Sequence, residues 1–214
     1  MARGYGQYCP VARALEFVGE RWTLLIVREL LLGPRRFTDL MTGLPGVSAN
    51  VLAARLRDLE AAELVAKRSL PAPAASTVYE LTDHARGLAA VVAAMADWGM
   101  TLLGQPATTD EIRGAWIVLA LAVTTPAPRG ADATYEFRLD DEVLHVRSHG
   151  GHLQPRHGPA ANPDAVITMG PKTLAAIATG DLDPNSPQAN KLVTTQGDSR
   201  AARRLLMTFS PIRS

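Results

Sequence analysis

A chain of 214 residues is long enough for one large domain or two small ones, each with its own core. Lys and Arg sum to 22 against 21 Asp and Glu, so a formal net charge of +1 excludes a highly charged disordered tail and a globally polybasic binder; nucleic-acid affinity, if present, has to be local. With 47% hydrophobic and 5% aromatic residues, cores built mostly of Ala, Leu and Val are expected in a cytoplasmic protein with no membrane partner, because there is neither a run of roughly 18 apolar residues nor a secretory block at the N-terminus.

Residues 10–32 predict helix, because Val11, Leu15, Val18, Trp22, Leu25, Ile26 and Leu30 recur at helical spacing. Gly19 is a possible break, and Gly33-Pro34 stops the run. Arg35 to Met41 predicts one short helix, followed by the helix-breaking turn Gly43-Leu44-Pro45-Gly46. Ser48 then stands as N-cap for a helix from Ala49 through Ala62. Leu52, Leu56 and Leu59 form the buried stripe of that helix, and Asn50, Ala54, Arg57 and Ala61 face the other way, as a docking face or a merely solvated one. Leu64 to Arg68 and Thr77 to Leu81 predict a hairpin with a long tip rich in proline. Thr82 caps a helix reaching about Leu103, whose stripe of Leu88, Val91, Val92, Met95, Trp98 and Leu102 suits a core or a dimer seam.

Residues 104–109 read as the linker, dividing the chain into domains 1–104 and 105–214. The second half opens with an apolar helix at about 110–123, then a loop at 126–130. Strands are predicted at Thr134 to Leu139 and Val143 to Ser148 around an Asp140-Asp141 turn, and an apolar run Ala165 to Met169 precedes a helix at Pro171 to Thr179. Lys191 to Gln196 suggests a strand and Ser199 to Phe209 the last helix, giving an α+β domain.

Short helix, turn, second helix with a polar outward face, hairpin and long helix is the order of a winged helix-turn-helix, whose second helix enters the major groove. Residues 35–68 carry six basic side chains and four acidic ones, so placement matters more than sum. Arg35, Arg36, Lys67 and Arg68 are expected at phosphates, which sets register without reading sequence. Asn50 and Arg57 are the candidates for base edges, because Asn pairs with adenine and Arg with guanine in bidentate fashion, for roughly 1–3 kcal/mol of discrimination each. Ser48 caps the helix and is a further phosphate candidate; Arg55 serves either a phosphate or a salt bridge, to Asp58 or to a residue elsewhere.

These first hundred residues resemble the HxlR family of bacterial winged-helix transcription regulators, relatives of MarR. The resemblance is carried by Cys9-Pro10, Gly19-Glu20-Arg21-Trp22-Thr23, Arg36-Phe37-Thr38-Asp39-Leu40, Leu44-Pro45-Gly46-Val47-Ser48 with Leu52, Arg55-Leu56, Leu59 and Leu64-Val65, and Tyr79-Glu80-Leu81-Thr82 with Trp98. It implies a homodimer that sets two reading helices on a palindromic operator in double-stranded DNA, with the N-terminal arm and the helix at 82–103 as the seam. Glu20, Glu63 and Ala85 stand where the family usually has glycine. A left-handed exit from the reading helix costs a non-glycine residue at 63 about 1 kcal/mol or more. Cys9 occupies the place of a thiol that senses oxidants in many relatives, with Arg13 one turn on; an inert half-buried thiol is the alternative.

The second half resembles the sterol carrier protein type of lipid-binding domain, through Asp164 to Met169, Leu174 to Leu182 and Ala189 to Asp198. That implies an apolar tunnel for a small hydrophobic ligand, lined by Val143, Val146, Ile167, Met169, Leu174 and Ile177, unless these residues are simply packed core. His145, His149, His152 and His157 match no metal spacing, and His149 is placed past the end of its strand, so solvated loop histidines and no metal or cofactor are expected. Hydrolase and phosphate-loop motifs are missing, and the reading is not an enzyme. The rival reading is a carrier of lipids whose first domain only dimerises.

Overall fold

The computed structural model describes residues 4–71, 76–104, 106–128 and 132–210. Residues 72–75 of the predicted hairpin tip, Gln105 in the linker and residues 129–130 of the predicted loop fall outside them. Two compact units emerge, Met1–Val92 and Ala93–Ser214.

In the first unit the expected helix at 10–32 is two: α1, Pro10–Val18, and α2, Thr23–Leu31. The break falls over Gly19 to Trp22, where Trp22 takes a left-handed backbone (φ 78°) as the N-cap of α2. Arg35–Arg36 is a two-residue strand, β1, rather than the start of a helix, because Gly33 at φ 119° and Pro34 deliver the chain extended. The helix α3 begins one residue later, Phe37–Gly43, and the Arg36 backbone N–H donates to the Asp39 carboxylate at 3.0 Å. A turn then leads to α4, Ala49–Ala61, capped by Ser48, whose Oγ accepts from the Val51 N–H at 3.3 Å.

Leu52, Leu56 and Leu59 of α4 are buried with Ile26, Val27, Leu30, Leu40, Leu44 and Leu81, so its leucine stripe fixes which face remains outside. Beneath the turn, buried Glu29 pairs with Arg28, whose Nη2 also donates to the Gly43 carbonyl at 3.1 Å. Gly43 is needed there, since a Cβ at that position would collide with the Glu29 carboxylate.

α4 keeps the left-handed exit in spite of its glutamate. Glu63 sits at φ 56°, the Leu64 N–H reaches Leu59 O at 2.9 Å and the Glu63 N–H reaches Glu60 O at 3.0 Å, the paired bonds of a Schellman ending. The Thr82 hydroxyl fastens the same corner, donating to the Glu63 carbonyl at 2.8 Å and accepting from the Ala85 N–H at 3.2 Å. Strands β2, Val65–Ser69, and β3, Thr77–Leu81, form the hairpin, and β1 joins its far side in the order β1-β3-β2. The predicted helix at 82–103 is one 3₁₀ turn, Ala85–Gly87, followed by α5, Leu88–Met100.

The second unit contains α6, Gly114–Thr124, and five strands: β4, Ala133–Leu139; β5, Glu142–His149; β6, His152–His157; β7, Ala165–Met169; and β8, Thr194–Gly197. They form one sheet in the order β6-β5-β4-β7-β8, parallel only between β4 and β7. Helices α7, Pro171–Ala178, α8, Ala189–Leu192, and α9, Ser199–Phe209, complete the unit. Strand alternation sends Tyr135, Phe137, Leu139, Leu144, Val146, Ile167 and Met169 into the core, where Phe137 stacks on Phe209 of α9 with centroids 6.3 Å apart. Glu136, Arg138, His145 and Arg147 take the opposite face. This is the α+β domain expected.

Two elements differ from expectation. Residues 191–196 are the end of α8 and the start of β8 rather than one strand. Residues 152–157 are a strand: despite Pro155, β6 pairs with β5 along its length as an edge strand, where proline is tolerated.

Candidate nucleic-acid interface

With the leucines of α4 buried, its free side and the hairpin enclose an open concavity of about 460 Å³, into which α4 contributes Asn50, Ala53, Arg57 and Glu60 and the hairpin Lys67 and Tyr79. Lys67 stands opposite Tyr79 in the strand register, and its ammonium lies 5.8 Å from the ring centroid. Asn50, Arg57 and Lys67 thus share one surface. The spacing 50, 53, 57, 60 on α4 is itself a helical stripe, so Ala53 and Glu60 were legible in the sequence; Tyr79 was legible only through its register with Lys67.

The other candidates divide. Arg36 is exposed on β1, and Arg35 beside it is half-buried, with its Nε enclosed. Ser48 is exposed and its Oγ is occupied as the α4 cap. Arg68 is held by Glu80 through two bonds, Nε to Oε1 at 3.0 Å and Nη2 to Oε2 at 3.1 Å. Arg55 points back into the unit and bridges Asp58 at 2.8 Å and Glu20 at 3.0 Å. Glu20, one of the three departures from the family's glycines, is therefore the distant partner of Arg55. Cys9 is half-buried at the N-cap of α1, and the Arg13 guanidinium pairs with Glu16 and lies over the Phe17 ring at 4.7 Å.

In the second unit Val146, Ile167, Met169, Leu174 and Ile177 are all buried, whereas Val143 pairs with Arg138 on the opposite, polar face of the sheet and cannot share a lining with Val146. The histidines lie on strands rather than in a loop: His149 is the last residue of β5 and pairs with Asp132, and His145 Nδ1 lies 2.9 Å from the Gly158 carbonyl. The bond to His149 holds the Asp132 carboxyl below its ordinary range. Among the described residues no group of three His, Cys, Asp or Glu side chains comes together to hold a metal ion. Nor is any described helix long and apolar enough to cross a membrane.

A three-helix core with a two-stranded wing and an exposed second helix defines the winged helix-turn-helix class. The chain belongs to the HxlR-like helix-turn-helix family, whose model matches residues 17–106; the model of the SCP-2 sterol transfer family matches residues 125–210. The Bacillus subtilis HTH-type transcriptional regulator YodB is 36% identical over 91 residues, covering 42% of this chain and 81% of that one. The uncharacterized Mycobacterium tuberculosis HTH-type transcriptional regulator Rv3095 is 41% identical over 96 residues, 45% of this chain and 60% of that one. Among solved structures, the reduced form of YodB aligns at 32% identity with a TM-score of 0.41, over 47% of this chain and 100% of that one.

Proposed function

We propose that the chain is a DNA-binding transcription regulator that acts as a homodimer on a palindromic operator, with α4 in the major groove and the β2–β3 hairpin along the backbone. The observation that carries the reading is the shared concavity of Asn50, Arg57 and Lys67 on the side of α4 that its own core leaves open. Asn50 and Arg57 read base edges; Arg35, Arg36 and Lys67 meet phosphates. Ser48 serves chiefly as the cap. Arg55 and Arg68, tied to carboxylates, brace the α4 corner and the wing instead of adding free charge.

The dimer reading rests on α5. None of its residues is buried, and Val91, Met95, Trp98 and Met100 are exposed, Trp98 by 66%. Val11 and Leu15 of α1 are exposed as well. Apolar stripes of this kind are stable in water when a second copy covers them.

The functional boundary is placed at 104/105, and the domain beyond it takes a small hydrophobic ligand among Val146, Ile167, Met169, Leu174 and Ile177, or serves as an interaction module. Its match to the SCP-2 family also favours a second reading, a lipid carrier whose first domain only dimerises. Selection of duplexes from a random pool separates the two. A regulator enriches two inverted half-sites about one helical turn apart, with affinity falling steeply as salt rises. A carrier enriches none, and that outcome overturns the proposal.

A further inference from the structure

The outward side of α9 carries a cation cluster that DNA reading leaves unused. Ala201, Ala202, Leu205, Leu206 and Phe209 turn inward, so Arg200, Arg203, Arg204 and Met207 follow one another along the exposed stripe. Together with Pro128 and Asn185 they line a concavity of about 500 Å³. That is within the roughly 300–1,000 Å³ typical of small-molecule sites.

Three features set this stripe apart from an ordinary solvated face. Among the described residues no carboxylate lies within ion-pair distance of the three arginines; Arg203 Nη2 has only the Asn190 amide oxygen, at 3.5 Å. The carboxylate closest in sequence, Asp198, is taken as the α9 cap, accepting from the backbone N–H groups of Arg200 and Ala201 at 2.9 Å each. Finally, Met207 stands 43% exposed among the arginines, steadied by the Asn185 amide, which donates to its sulfur at 3.0 Å.

Along α9 and its cap, three guanidiniums against the single Asp198 carboxylate leave an excess of two positive charges beside an apolar floor. Planar guanidinium forks fit phosphate oxygens in bidentate fashion, and a phosphate monoester brings close to two negative charges where a carboxylate brings one. We propose that this concavity binds a phosphate monoester with an apolar tail, its oxygens taken by Arg200, Arg203 and Arg204 and its first carbons lying over Met207 and Pro128. The site lies outside the Ile167–Leu174 core and does not depend on the DNA-binding reading.

Titration calorimetry of the full chain with octyl phosphate, octanoate, octanol and inorganic phosphate tests it. Octyl phosphate should bind at one site, at least about tenfold tighter than any of the other three, a step that each lost charge-assisted contact or lost pair of buried methylenes is large enough to supply. The double variant R203A/R204A should lower octyl phosphate affinity by about tenfold or more and leave octanol unchanged. M207Q should bring octyl phosphate toward the level of inorganic phosphate. The milder R203K/R204K pair, which keeps charge and fold, should weaken binding severalfold by removing the fork. Equal affinity for octyl phosphate and octanol, unchanged affinity in the double variants, or no octyl phosphate binding at millimolar concentration would each overturn the proposal.

Discussion

Arg36 and Arg68 flank the same residue of β3, Val78, one from each side, yet only one of them is expected to act on DNA as a charge. Arg36 is exposed and makes no ion pair among the described residues, whereas Glu80 grips the Arg68 guanidinium with both oxygens. In a homodimer, Arg35, Arg36 and Lys67 of two copies neutralise about six phosphates, and log affinity should fall against log salt with a slope of about −5. Between about 50 and 200 mM salt the native dimer then loses roughly 10³-fold in affinity. Arg36→Ala withdraws two contacts, cuts the slope by about 2, and reduces that loss to roughly 10². Arg68→Ala removes a charge that Glu80 already balances and should change the slope by less than about 1; Glu80→Gln releases Arg68 and should steepen it. Fluorescence anisotropy on the selected duplex across this salt range reads all three. If Arg68→Ala flattens the slope as much as Arg36→Ala, the division between free and tied cations fails.

Arg57→Ala should relax base preference at one position of each half-site by about 1–3 kcal/mol while Arg36→Ala weakens every sequence alike; the same loss on matched and mismatched duplexes for both would contradict the assignment. Glu63→Gly removes a left-handed glutamate from the end of α4 and should stabilise the first unit by about 1 kcal/mol in denaturant melts, with a lower midpoint as the contrary result. Asp198 is held below its ordinary pKa chiefly by the Ala201 N–H, so its contribution is present above the unfolded carboxylate range and drains away as pH falls through the folded value. Asp198→Asn, which still caps, should therefore flatten the acid limb of the second unit's melting curve, and an unaltered limb would remove Asp198 as its cause. Cys9→Ser should abolish any response of operator binding to oxidant, and a response that survives excludes thiol sensing at this position.

Period and punctuation carried most of the fold. Leucines at 52, 56 and 59 settled the orientation of α4, and alternation at 134–139 and 143–148 settled the first hairpin of the second sheet. Two of the failures share one cause, long-range pairing that overrode local preference. Arg35–Arg36, delivered extended by Gly33-Pro34, becomes a strand by pairing with β3, and Pro155 reads as loop until β6 is seen to be an edge strand paired with β5. The stripe of α5 was legible as apolar, but pattern cannot tell a buried face from an open one, and only the structure shows Trp98 to be exposed.

At the candidate site, sequence gave residue type and helical face but not partnership. Arg55 and Arg57 are two positions apart and chemically identical, and their wheel angles put one at the edge of the buried stripe and the other outside it. Which of them keeps its charge for a ligand depends on Glu20, 35 residues away in sequence, whose carboxylate joins Asp58 in holding Arg55. The same dependence explains Arg68, disarmed across the hairpin by Glu80, and Lys67 one residue earlier, which meets Tyr79 instead. A glutamate replacing a usual glycine at 20 thus does more than mark divergence. It occupies a cation on α4 and ties the helix to the α1–α2 corner, so the proposed interface is left with Asn50, Arg57 and Lys67.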